Sequence, residues 1–138
     1  MILLILLLLG GNHANYRSPI QEVAVFEQRE EAKEDIEGIY RAKVSFYDES
    51  YCRRFNPACI TASGERFRET DMSCACSNNY DIGSHFRFSF NGNSVVARCN
   101  DRGSFKEKYG RDFDLSKGAF EALAPISRGV LTVEIEEL

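Results

Sequence analysis

At 138 residues, with 43% hydrophobic residues, the chain has the size and apolar share of one globular domain and leaves no room for a second core. A formal net charge of −4 lacks the basic footprint that a phosphate-backbone binder needs, so nucleic acid is not an expected partner. Uncharged polysaccharides, read by hydrogen bonds and ring stacking, are not excluded.

The chain opens on Met1 to Leu9, a run of Leu and Ile that stops at Gly10-Gly11. It is shorter than the roughly 20 residues of a spanning helix. Residues 1–14 therefore read as an export signal or a hydrophobic leader, and no stable membrane span is expected. No cysteine follows the run, so lipid attachment is not expected there. Residues 15–37 are charged, and Glu27 to Asp35 carries no apolar stripe wide enough to dock on a core, which reads as a solvated linker or a short exposed helix. From Gly38 the pattern changes to short β-type runs broken by turn residues, placing the folded domain at 38–138.

Within that domain Ile39–Tyr47 alternates as a strand, Ile60–Phe67 is rich in turn residues, and Met72–Cys76 is a short strand candidate. Phe86, Phe88 and Phe90 share one face at period two; Asn91-Gly92 then supplies a hairpin turn, and Ser94–Cys99 runs back as a strand. The Phe stripe reads as core. Asp114-Leu115-Ser116 leads into a helix over Lys117 to Leu123, with Ser116 or Asp114 as its cap and Pro125 just past its end. Val130 to Ile135 closes the chain as an alternating strand.

Three islands place carboxylates beside glycine or at a strand or helix end: Thr61-Ala62-Ser63-Gly64-Glu65, Asn100-Asp101-Arg102-Gly103 and Phe113-Asp114-Leu115-Ser116. Cleaving a glycosidic bond needs a carboxylic acid to protonate the leaving oxygen, and loops of a barrel can bring such islands into one groove. The five cysteines, in an exported chain, point to disulfides. Their spacing and the scattered His13 and His85 do not form zinc knuckles, and neither metal nor cofactor is expected. Cys52 with Cys59 is the favoured first bridge.

Ala42 to Tyr47, Thr61 to Phe67, Ser94 to Phe105 and Asp114 to Lys117, in that order and spacing, resemble the rare lipoprotein A family from about Ala42 to the C-terminus. The resemblance implies a mainly β fold, a six-stranded double-psi β-barrel with one or two short helices, akin to expansins and barwin-like proteins. It further implies peptidoglycan glycan strands as the partner and lytic transglycosylase action, with Glu65 and Asp101 on the family's implicated acids. Asp114 resembles the catalytic aspartate of related barrels. Cys76 occupies the place of the family's histidine, and with Tyr47, Ser63 and Arg102 it is expected to meet substrate. A non-catalytic, expansin-like glycan binder is the alternative, and a disulfide-stapled protein binder a third; the chain is expected to act as a monomer.

On that barrel Cys99 should lie near β-residues Cys74 and Cys76, which point the same way, so Cys99 is expected to bond one of them and leave one free thiol. Asp101 is expected to be the working acid. Asp114, at the head of a helix, is expected to be held ionised by the helix dipole and to act mainly as a cap.

Overall fold

The computed structural model describes residues 38–103 and 110–138. The leader and linker expected over 1–37, and Ser104-Phe105 of the third motif, lie outside the described residues. The elements in chain order are β1 (Ile39–Tyr47), α1 (Glu49–Phe55), β2 (Ser73–Cys76), β3 (His85–Phe90), β4 (Asn93–Arg102), β5 (Arg111–Ser116), α2 (Lys117–Glu121), a 3₁₀ turn (Ile126–Arg128) and β6 (Leu131–Glu137).

The six strands close into a barrel in the order β1-β5-β2-β4-β3-β6. β1 with β5 and β2 with β4 run parallel, while the other four pairings are antiparallel. Closure leaves no unpaired sheet edge, and period-two alternation then decides which side chains face inward. Phe86 and Phe88 of β3, Phe113 and Leu115 of β5, Leu131, Val133 and Ile135 of β6 and Val44 of β1 are all buried in one cluster. Phe113 meets Phe86 and Phe88 edge-on at 4.8 and 5.2 Å between ring centroids, the arrangement that ring quadrupoles favour. Phe120 and Leu123, in and just after α2, cap the same cluster, with Phe120 against Phe46 at 4.9 Å.

The β3–β4 hairpin follows the sequence: Phe90 pairs with Asn93 across the two-residue turn Asn91-Gly92, both at positive φ. Three elements differ from expectation. β4 runs on to Arg102, past the expected end at Cys99, so Asp101 stands within the strand and not just beyond it. Arg111–Ser116 is a strand, because Phe113 and Leu115 alternate into the core, and Asp114 is therefore not the helix cap. Ser116 is: its Oγ accepts from the Ala119 amide at 3.2 Å. The third difference is α1, an element absent from the sequence-based expectations. Asp48 caps it, accepting from the Tyr51 amide at 2.8 Å.

Cys52 bonds Cys59, as expected, with Cα atoms 5.6 Å apart. Cys99 takes Cys76, with Cα atoms 5.8 Å apart, inside the range a disulfide requires. Cys74 is the free thiol. Cys74 stands directly opposite Cys99, but a bulge after it leaves Asn100 with no residue of β2 opposite it and brings Ala75 opposite Asp101. Past that kink Cys76 reaches Cys99 on the diagonal. The Cys74 thiol is fully buried, and burial pushes its pKa up to about 12. The folded protein is therefore expected to react with no thiol reagent at neutral pH, and to show one reactive thiol once unfolded in denaturant. A thiol titrating in the native protein would contradict this placement.

Candidate active site

The barrel's outer face carries a row of residues across four adjacent strands. Ser45 of β1 pairs with Asp114 of β5, Asp114 with Ala75 of β2, and Ala75 with Asp101 of β4. Two interstrand spacings put the Asp101 and Asp114 backbones about 10 Å apart. The small Ala75 between them keeps the floor low. Tyr47, two residues beyond Ser45 on the same face, stands over this row and stacks on Phe67 at 4.4 Å. Tyr47, Phe67, Ala75 and Cys59 form a second apolar cluster, separate from the barrel interior. The groove holds a cavity of about 250 Å³ lined by Tyr47, Tyr51, Phe55, Asp101, Arg102 and Asp114 among others. A second hollow beside it is bounded by Ser45, Tyr47, Arg111 and Asp114.

Asp114 is 7% exposed. Burial pushes its carboxyl above the ordinary carboxylate range, against the smaller pull of a hydrogen bond from the Ser45 hydroxyl and of Arg111, whose Nε lies 3.6 Å away. The expectation that a helix dipole holds it ionised is thus overturned, because Asp114 lies in a strand and burial governs it. A carboxyl that holds its proton more tightly than usual, at a groove floor, is suited to general acid catalysis.

Asp101 is held differently. Its Oδ1 accepts from the amides of Ala62 at 3.0 Å and Arg102 at 2.9 Å, and the Tyr47 hydroxyl lies 3.5 Å from Oδ2. These bonds fix the carboxylate and tie the Thr61–Glu65 turn to β4. Burial, and then the charge of Asp101, raise the Tyr47 phenol, so Tyr47 stays a donor at any working pH.

The other sequence candidates differ in where they stand and what they bind. Glu65 is exposed and is not among the groove-lining residues. Its Oε2 accepts from Arg98 at 2.6 Å and Asn100 at 3.4 Å, and these hydrogen bonds hold the carboxyl below its ordinary pKa. Ser63 shares a 2.9 Å hydrogen bond with Thr61 inside its own turn. Arg102 lines the groove, but its Nη1 donates to the carbonyls of Ser77 at 2.7 Å and Tyr80 at 2.6 Å, clamping the connection between β2 and β3. Cys76 is fully buried in the barrel interior and bonded to Cys99, so it offers substrate nothing. Sequence reading missed Ser45 and Phe55. Ser45 was signalled by its alternation with Tyr47, and Phe55 by the cap at Asp48.

Among the described residues no three His, Cys, Asp or Glu side chains gather as a metal site, and no helix is long and apolar enough to cross a membrane.

Residues 41–135 match the family described as lytic transglycolase. Over 80 residues the chain is 45% identical to a protein of Nostoc sp. named probable endolytic peptidoglycan transglycosylase RlpA, covering 56% of this chain and 21% of that one. A protein of the same name from Synechocystis sp. is 40% identical over 78 residues, covering 55% and 23%. The matched region is thus under a quarter of either relative's length. In fold the chain is similar to the Streptomyces papain inhibitor, with a TM-score of 0.56 and 21% identity over 72% of this chain and 94% of that one. It is likewise similar to the Clavibacter michiganensis expansin, with a TM-score of 0.54 and 16% identity over 72% of this chain and 50% of that one. The match over most of the barrel, the motif order and the closed six-stranded topology agree: the chain belongs to the rare lipoprotein A-like double-psi β-barrel family.

Proposed function

We propose that this is an exported protein that cleaves peptidoglycan glycan strands as a lytic transglycosylase, with Asp114 as its general acid. The observation that carries this reading is the buried, protonation-prone Asp114 carboxyl opening into a groove beside Asp101. Two disulfides in a small domain suit an oxidising compartment. In the reaction, Asp114 gives its proton to the glycosidic oxygen as the bond from that oxygen to C1 breaks. The C6 hydroxyl of the same sugar then bonds to C1, and its proton returns to the Asp114 carboxylate. The products are an anhydro-sugar end and a free hydroxyl on the departing chain. One carboxyl serves both transfers, and no water is consumed. Asp101, pinned by two amides, is placed to offset the positive charge that develops on the sugar ring.

The deciding experiment is mass spectrometry of glycan strands stripped of stem peptides after incubation with the protein. Anhydromuramyl ends support the reading, new reducing ends make the protein a hydrolase, and retention without products makes it a binder. That last outcome is the second reading, and one observation favours it: the position resembling the family's histidine is a cysteine locked in a disulfide, with no proton to exchange. The expansin fold neighbour has been seen, as a variant, in complex with cellohexaose. Within the enzyme reading, Asp101→Asn is expected to lower the cleavage rate less than Asp114→Asn does, because an amide oxygen still accepts from Ala62 and Arg102. Glu65→Gln is expected to leave cleavage intact. Steady-state rates on stripped glycan rank the three, and a Glu65→Gln protein that is inert yet folded would return that residue to the site.

A further inference from the structure

α1 is seven residues long and buries none of them. Helices that short are not stable alone in water, and in folded domains they ordinarily persist by packing an apolar stripe on the core. α1 does the reverse. Tyr51 is 53% exposed and Phe55 is 71% exposed, neighbours at i and i+4 with ring centroids 5.1 Å apart, and Ile60 beyond them is 44% exposed. What holds the helix is a set of staples. Asp48 caps it, the Glu49 amide donates to Glu69 Oε2 at 3.0 Å, and Cys52 is bonded to the fully buried Cys59. Cys59 itself sits at φ 52, a left-handed conformation uncommon for a non-glycine residue. A cap, a side-chain hydrogen bond and a disulfide thus hold in place a helix whose one contribution to the core is the partly buried Cys52. Its aromatic face borders the groove: Tyr51 lines both hollows, and Phe55 lines the one that holds Asp101 and Asp114.

We propose that Tyr51 and Phe55 form a stacking wall of the groove, a subsite for the apolar face of a pyranose ring next to the reacting bond, kept in position by the Cys52–Cys59 bridge. This rests on the groove being the glycan site. Aromatic rings suit that task because they take up the C–H face of a sugar while its hydroxyls stay wet. A concave cavity continuous with a carboxylate-bearing floor fits a strand-like ligand better than the broad, flat surface of a protein partner.

The test measures retention on stripped glycan strands with Asp114→Asn as the parent, so that turnover does not intrude. Adding Tyr51→Ala and Phe55→Ala is expected to raise the apparent Kd at least about tenfold, with an unchanged melting temperature because neither ring is buried. Phe55→Tyr, which keeps a ring, is expected to bind like the parent. Cys52→Ser with Cys59→Ser is expected to weaken retention too, although both rings remain. A double alanine variant that binds as the parent does overturns the wall, as does a bridge-less variant that binds fully for its stapled form. Should Asp114→Asn and the native chain both fail to stay on glycan, the groove's assignment to glycan falls, and the wall with it. Should the native chain bind without cutting and the double alanine variant lose retention, the wall stands while the enzyme reading fails.

Discussion

Asp114→Asn is expected to abolish anhydromuramyl product formation, with a rate loss of roughly 10²–10⁴-fold, the usual worth of a positioned general acid. The substitution is nearly isosteric and leaves Ser45 a hydrogen-bond partner. It also removes a charge that burial disfavours. A thermal melt at pH 7 should therefore lie within about 4 °C of the parent. The pH profile gives a sharper signature. An acid must be protonated to work, and burial raises the value at which Asp114 loses its proton, so cleavage should persist above the ordinary carboxylate range and fall as pH rises through the raised value. The same shift bears on stability. Because the folded state holds this proton more tightly than the unfolded chain, Asp114's contribution is fully present below the ordinary carboxylate pKa of about 3.9 and is lost as pH rises through its folded value. Melts of the native chain and of Asp114→Asn should then converge at low pH and diverge in the native chain's disfavour above it. An Asp114→Asn protein that cuts at the native rate, or a native profile flat through that window, would move the acid elsewhere.

The second large effect concerns the interior disulfide. Replacing Cys76 and Cys99 together by Ala opens a loop of sequence separation 23, for which loop-closure entropy gives about 3 kcal/mol. For a domain of this size that lowers the Tm by about 10–20 °C. Both residues are fully buried among the barrel aromatics, and truncating their side chains adds to the loss. A single Cys76→Ala change is a weaker test, since Cys74, directly opposite Cys99, could take the bond instead. Calorimetry of the double variant beside Cys74→Ala, which keeps both bridges, separates the covalent contribution from packing. A double variant melting with the native chain would show that the barrel does not depend on this link.

The sequence by itself determined the elements that local rules govern. Period-two alternation placed Phe86 and Phe88 inward, Asn91-Gly92 formed the hairpin it specifies, and the order of the motifs led to the barrel. Cys52 and Cys59 were near enough along the chain to be paired without a structure. What sequence could not decide were matters of register and depth. Cys74 and Cys76 both point toward Cys99, and only the bulge at Asn100 selects Cys76. Asp114 beside a helix start suggests a cap, and only the pairing of β5 with β1 and β2 shows it as a buried strand residue. Glu65, equal to Asp101 and Asp114 as a sequence candidate, is drawn off by Arg98, which is 33 residues away in the chain. Alternation says which face a side chain takes, whereas whether that face is wet, and which charges neighbour it, depends on strands brought together from distant parts of the chain. It is this desolvation, set by tertiary packing, that distinguishes Asp114 from the exposed Glu65.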